Sequence, residues 1–483
     1  MELALVIDTA LPQPLHQQVY SQLRQAILSG RLQPGQRIPA SRALAKSLGL
    51  SRTTVTQGYD QLIDEGYLQT RPGAGTYVCE LPERLLEIQT VEQTSLVSRE
   101  ITLSAYGQRV HDASPRPVQQ TFDISFRYGQ PALDLFPTEL WGKLLSKHCR
   151  SVSGWLGYAK DAYGYPPLRQ AVAQYLCRAR AVQCTPEQVM ITNGSQQALS
   201  LITRLLVNPD DSIAMEEPGY RGAAQIFKMS GAKLLSIPVD RDGLLMDKLI
   251  HHDVIPRLVY VTPSHQFPTG ALLSLPRRLM LLQWAWQNNA LIIEDDYDSE
   301  YRYGGRPVPS LQGLDSHASV LYVGTFSKVM FPSIRLGYLV LPQSLVEVFG
   351  KAKWLADRQP PILTQYALAE FISAGHLERH LRKMRLCYEK RRQVLVQALY
   401  KHFGASVDIF GDSAGLHIMA KLPLALSDAE AVTRAASVGV EICSAQFQYE
   451  VPCNRGEYVF GYTNVSEEHI ERGVALIAKV FQQ

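Results

Sequence analysis

The chain has 483 residues, 46% of them hydrophobic and 19% charged, with a formal net charge of +3. At one domain per ~100 to 200 residues this leaves room for two or three domains, and the composition is globular rather than disordered. So small a charge excess excludes inferring a nucleic-acid partner from bulk charge, and seven scattered cysteines without a CxxC pair indicate neither a disulfide framework nor a structural zinc site. No stretch approaches the ~20 apolar residues of a membrane helix, and "MELALVIDTALPQPLHQQ" lacks the basic and apolar regions of a signal peptide. The expectation is a cytoplasmic protein without a membrane partner.

"PLHQQVYSQLRQAILSG" sets Leu15, Val19, Leu23 and Ile27 at helical spacing, with Gly30 as a stop. After the turn "RLQPGQRIP", "ASRALAKSLGL" predicts a short second helix ending near Gly49, and Ser51 caps a third, "SRTTVTQGYDQLIDEGYL". "LQTRPGAGTYVC" then reads as a hairpin around Gly73 and Gly75, so three helices and a wing form a winged helix-turn-helix. The third helix opens on Ser51, Arg52, Thr53 and Thr54, followed by Thr56, Gln57 and Tyr59. Short hydroxyls, an amide and one guanidinium donate to phosphates and read base edges from a helix in the major groove. Arg42, with Arg71 and Gly75 of the wing, would meet the DNA backbone or minor groove.

The run "LSGRLQPGQRIPASRALAKSLGLSRTTVTQGYDQLIDEGYLQTRPGAGTYV" resembles the GntR-type regulator head over nearly its whole length, which implies operator DNA as a partner. A winged helix used for protein contacts is the plainer alternative. The reading assigns residues 1–79 to this head. Residues 80–120, polar, poorly periodic and ending in Ser-Pro-Arg-Pro, read as a linker, and residues 121–483 as a second domain.

From 121 onward, short β-branched runs such as "QVMITNGS", "SIAMEEPGY", "RLVYVTPSH", "ALIIEDDY" and "SVLYVGTFS" alternate with helix-length segments. This predicts an α/β domain with a mostly parallel sheet, whose ligands gather at the carboxyl ends of the strands. "TNGSQQAL" brings Gly194, Ser195 and Gln196 to a helix start able to hold a phosphate. "IIEDDYD" ends a strand on Asp295 and Tyr297, and "GTFSK" ends another on Thr325, Ser327 and Lys328, with Arg335 close behind. Each motif alone has a duller reading as a surface lysine, an acidic turn or a good helix start. Together, a phosphate cradle, an acid and a lysine are what pyridoxal 5'-phosphate requires.

The second domain resembles the fold type I, aspartate aminotransferase-like family, and the whole chain resembles the MocR/GabR regulators, in which a GntR head is fused to such a domain. "TNGSQQAL", "EEPGY", "TPSHQFPTG", "IIEDDYDSEYRY" and "GTFSKVMFPSIRLGY" carry the resemblance in order. It implies that Lys328 forms the internal aldimine, Asp295 pairs with the pyridine nitrogen and Tyr297 bonds the phenolic oxygen. By the same resemblance Tyr220 stacks on the ring, Ser195, Gln196, Thr325, Ser327 and Arg335 bind phosphate, and Tyr158 reaches the neighbouring site of a homodimer.

Two departures stand out. "QFPTG" puts Phe267 where aminotransferases have the asparagine of "NPTG", and Val459 of "NRGEYVFGY" falls where they carry a carboxylate-binding arginine. Arg455 is the nearby candidate to replace it for an effector. The expected function is a regulator that binds DNA through its head and senses a small amine, amino acid or vitamin B6 compound. A working aminotransferase with an attached head is the alternative, and a cofactor-free relict is disfavoured by the presence of the lysine, the acid and the phosphate residues.

Overall fold

The computed structural model describes residues 5–80, 101–113, 121–150, 156–158, 162–305 and 308–481. The chain divides into two compact units, Met1–Thr102 and Leu103–Gln483. In the first, helices α1 (Leu15–Leu28), α2 (Ser41–Leu48) and α3 (Arg52–Asp64) precede a hairpin of β1 (Leu68–Arg71) and β2 (Gly75–Val78). Val19, Leu23, Ile27, Leu44, Val55, Leu62 and Val78 bury one another in its core. Ser51 caps α3 as its sequence predicts, the Oγ accepting from the Thr54 amide at 3.1 Å. One expectation is corrected: Tyr59 does not face DNA. It stands four residues after Val55 and three before Leu62, on the inward stripe of α3, and is 4% exposed with its hydroxyl donating to the Pro39 carbonyl at 2.8 Å.

The second unit begins with the helix α4 (Ala105–Asp112), inside the stretch read as linker; most of the remaining linker, including Ser-Pro-Arg-Pro, lies outside the described residues. Arg109 ties α4 to the helix Arg221–Ser230 by donating to the Met229 carbonyl at 2.8 Å. The short strand β3 (Ile124–Ser125) follows. The central sheet has eight strands: β4 (Val189–Thr192), β5 (Ser212–Glu217), β6 (Lys233–Asp240), β7 (Gly243–Leu244), β8 (Leu258–Val261), β9 (Leu291–Asp296), β10 (Val320–Thr325) and β11 (Gly337–Val340). Their order is β4-β11-β10-β9-β8-β5-β6-β7; β6, β5, β8, β9 and β10 pair in parallel, while β11 runs against both its neighbours. Strands β4, β8 and β10 are buried from end to end, as continuous apolar runs covered on both faces should be.

A second sheet, antiparallel, is made of β12 (Asp408–Phe410), β13 (His417–Lys421), β15 (Cys443–Ser444) and β16 (Glu457–Gly461), while β14 (Val440–Glu441) pairs with β3. Among the described residues no helix is long and apolar enough to cross a membrane.

Candidate functional site

The carboxyl ends of β9 and β10 open into a cavity of about 200 Å³. Ser195, Gln196, Tyr220, Asp295, Tyr297, Thr325, Ser327, Lys328 and Arg335, drawn from five separate segments of sequence, all line it. Alternation along β9 explains why one acid of "EDDYD" is offered to a ligand and the others are not. Glu294 points away and accepts from the amides of Leu311 and Gln312, each at 2.8 Å. Asp296, on the same face as Glu294, is held in a buried ion pair with Arg180 at 2.7 Å. Asp295 points the other way, into the cavity. Its Oδ2 accepts from the Tyr260 hydroxyl at 2.7 Å, while Oδ1 is buried without a hydrogen-bond partner. Burial pushes the Asp295 carboxyl up to about 6, against the pull of the Tyr260 hydrogen bond.

Lys328 follows β10 and donates from Nζ to the Gly129 carbonyl at 2.6 Å. Burial lowers its pKa, with Asp298 and Asp295 acting in opposition, so the neutral amine is easier to reach than in an exposed lysine. Gly129 has φ +80°, a backbone conformation that favours glycine, and a Cβ there would stand 2.6 Å from that Nζ. The helix Ser195–Leu206 presents its N-terminus to the same cavity, which Thr325, Ser327 and Arg335 also line. Arg335 donates to the Asn193 carbonyl at 3.2 Å, above Gly194. Free amides, hydroxyls and a guanidinium there suit a phosphate dianion. The unpartnered Asp295 oxygen suits a protonated ring nitrogen, and the lysine suits a carbonyl carbon. The residues therefore fit pyridoxal 5'-phosphate.

Several lining residues carry no sequence motif. Tyr128 and Gly129 belong to these, as do Leu416 and His417 at the start of β13; Tyr260 reads as an ordinary core aromatic of β8. Asp298 links the second sheet to the cavity, since its Oδ2 accepts from the Leu416 amide at 3.1 Å and lies 3.1 Å from His265 Nδ1. The Tyr297 hydroxyl donates to the His265 carbonyl at 3.0 Å. Tyr158, expected at a neighbouring subunit's site, and Arg455, expected to meet an effector, both lie outside this cavity's lining. Tyr158 is 85% exposed, with Arg358 over its ring at 5.9 Å. Arg455 is not among the cavity's lining; its guanidinium lies 4.1 Å from the Tyr449 ring centre, held by a hydrogen bond to Cys453 Sγ at 2.9 Å.

On the head, Ser51, Arg52, Thr53 and Gln57 are exposed along α3, with Thr54 and Thr56 half-buried beside them. Arg42 is exposed on α2, and Arg71 lies over the Tyr77 ring of the hairpin at 4.8 Å.

Residues 150–446 match the aminotransferase class I and II family, and residues 15–78 match the gntR family of bacterial regulatory proteins. The probable rhizopine catabolism regulatory protein MocR of Rhizobium meliloti is 39% identical over 99% of this chain and 96% of its own. The HTH-type transcriptional regulator TauR of Rhodobacter capsulatus is 31% identical over 97% of this chain and 96% of its own. Among solved structures, the multiple substrate aminotransferase of Thermococcus profundus superposes with a TM-score of 0.69 at 29% identity, covering 74% of this chain and 91% of that one. The fold and the site thus define a pyridoxal-phosphate protein of the aminotransferase class joined to a gntR-type DNA-binding head. The chain belongs to the MocR/GabR regulators, DNA-binding transcriptional regulators with an aminotransferase-like domain.

Proposed function

We propose that the aminotransferase-like domain is a sensor, in which a primary amine entering the cavity changes how the head engages its operator. The observation that carries this reading is the complete cofactor constellation, with Lys328 and the unpartnered Asp295 oxygen in one cavity of a chain that also carries a DNA-binding head. Bound pyridoxal phosphate supplies a carbonyl open to amines and an electron sink. Lys328 would hold the group's carbonyl carbon through its amine, and Asp295 would keep the ring nitrogen protonated. Tyr220 would pack on the ring, Tyr297 would turn its hydroxyl from the His265 carbonyl to the ring's oxygen, and Ser195, Gln196, Thr325, Ser327 and Arg335 would hold the phosphate.

The exposed residues of α3, with Arg42 and Arg71, meet operator DNA in the cytoplasm. A homodimer supplies two heads for two half-sites and sends Tyr158 toward the neighbouring cavity. An effector produces a signal if it binds the two arrangements of the heads with different affinity.

Visible absorption of the purified protein beside Lys328→Ala, titrated with amines and amino acids, tests the reading. A lysine-dependent band that shifts with an amine, at concentrations that also alter operator binding, is the expected result. A spectrum cycling repeatedly between amine and keto acid, without effect on DNA binding, would replace sensing by transamination. That second reading has its own support: the aromatic-amino-acid aminotransferase 1 of Thermococcus litoralis is 29% identical over 74% of this chain.

A further inference from the structure

The position where aminotransferases carry their carboxylate-binding arginine is filled by apolar packing. Val459 is fully buried in the middle of β16, opposite Met419 of β13 and Cys443 of β15. Met419, Ala445 and Val459 form a small apolar cluster, against which Tyr128 and Phe410 pack. Tyr128 also lines the cavity, so the ring that packs on this cluster is itself part of the cavity wall. Its hydroxyl accepts from Gln448 Nε2 at 3.2 Å, and its ring lies 5.1 Å from Phe267 and 6.3 Å from His417.

The wall these rings make is uncharged. Burial raises the Tyr128 phenol to about 12, so it stays protonated. His417 is 1% exposed, and burial together with the neighbouring His265 pulls its pKa well below the ordinary value, leaving a neutral imidazole. Its Nε2 lies 3.2 Å from the Pro268 carbonyl, which fixes that nitrogen as the donor. Phe267 and Leu416 complete the wall. Among the described residues the cations lining the cavity are Lys328 and Arg335. Arg335 is bound at the Asn193–Gly194 turn, at the phosphate end.

We infer that the effector is a primary amine without a carboxylate, whose uncharged remainder lies against Tyr128, Phe267 and His417. This deepens the sensing proposal and rests on it. A carboxylate brought against this wall would give up its water for two aromatic rings, a leucine and a neutral imidazole. A buried anion without a cationic partner is strongly disfavoured. An alcohol or a ring loses far less on the same transfer and gains contact with the aromatic faces.

The test uses the full-length protein loaded with pyridoxal phosphate and matched pairs that differ by the carboxylate: ethanolamine against serine, phenethylamine against phenylalanine, propylamine against 4-aminobutyrate. Two readings are taken on each, the shift of the lysine-dependent absorption band and retention of operator DNA. In at least one pair the amine is expected to act at about tenfold lower concentration than its acid, equivalent to about 1.4 kcal/mol, and in no pair should the acid be preferred. Equal or stronger action by the acids would overturn the inference while leaving amine sensing intact. A lysine-dependent band that no member of either set shifts would remove the amine-sensing proposal, and this inference with it. Because the comparison is between compounds on one unaltered protein, no outcome depends on a variant's folding.

Discussion

Asp295 concentrates the chemistry of the cavity in one side chain. Its Oδ2 is satisfied by Tyr260 and its Oδ1 by nothing within the described residues, so the carboxylate is held in place with one acceptor left for a ligand. Asp295→Asn keeps the shape and removes the charge. Retention of pyridoxal phosphate is expected to weaken by about 3 kcal/mol, roughly a hundredfold, as read by equilibrium titration; unchanged retention would mean that the ring nitrogen finds no partner there. The pH dependence has a definite sign. In the empty cavity the carboxyl titrates at about 6, raised by burial, whereas beside a bound cation it stays ionised to lower pH. Binding therefore releases a proton below about pH 6, and affinity falls as the pH drops through that value, by up to about tenfold per unit. Subtracting the Asp295→Asn profile isolates this contribution, and identical profiles would assign the pH dependence to other groups.

At the scale of elements, the site is built by strand ends and one helix start, and the turn between β4 and the helix Ser195–Leu206 is closely packed. Gly194 has φ +81°, and a Cβ there would stand 3.1 Å from Arg335 Nη2. Gly194→Ala is expected to strain the turn by about 1–2 kcal/mol and displace the guanidinium from the phosphate end. The measurements are the Tm of the empty protein and its affinity for pyridoxal phosphate. A loss of Tm without a loss of affinity would show that Arg335 adapts. This turn and the ends of β9 and β10 were legible in the sequence because each sets polar residues abruptly after a buried apolar run. Tyr128, Leu416 and His417 were not, because each stands in an unremarkable local pattern and reaches the cavity through tertiary topology. Asp298, which accepts from the Leu416 amide, is what joins those two regions. Tyr59 shows the opposite error: polar neighbours made it look like a reading residue, but its helical phase with Val55 and Leu62 was the stronger signal.

For the whole molecule, the question is how far its two units act as separable modules. The head buries its own core from Val19 to Val78, so an exposed substitution on α3 need not disturb the cavity. Arg52 is exposed at the first turn of α3, next to the capping Ser51, with no acidic partner among the ion pairs of the described residues. Arg52→Ala is expected to weaken operator binding by about 1–3 kcal/mol, with the absorption spectrum and affinity for pyridoxal phosphate unchanged. The salt dependence then distinguishes what the guanidinium does. If it binds a phosphate, the slope of log affinity against log salt falls by about one and all DNA sequences weaken alike; if it reads a base edge, the slope holds and discrimination at that base is lost. Equal loss of operator binding and cofactor affinity would contradict separable modules. Arg109 of α4 donates to the Met229 carbonyl at 2.8 Å, so the segment that opens the second unit is anchored within that unit. An effector that shifts the absorption band of Arg52→Ala just as in the parent protein would show that the cavity responds before, and independently of, the contact with DNA.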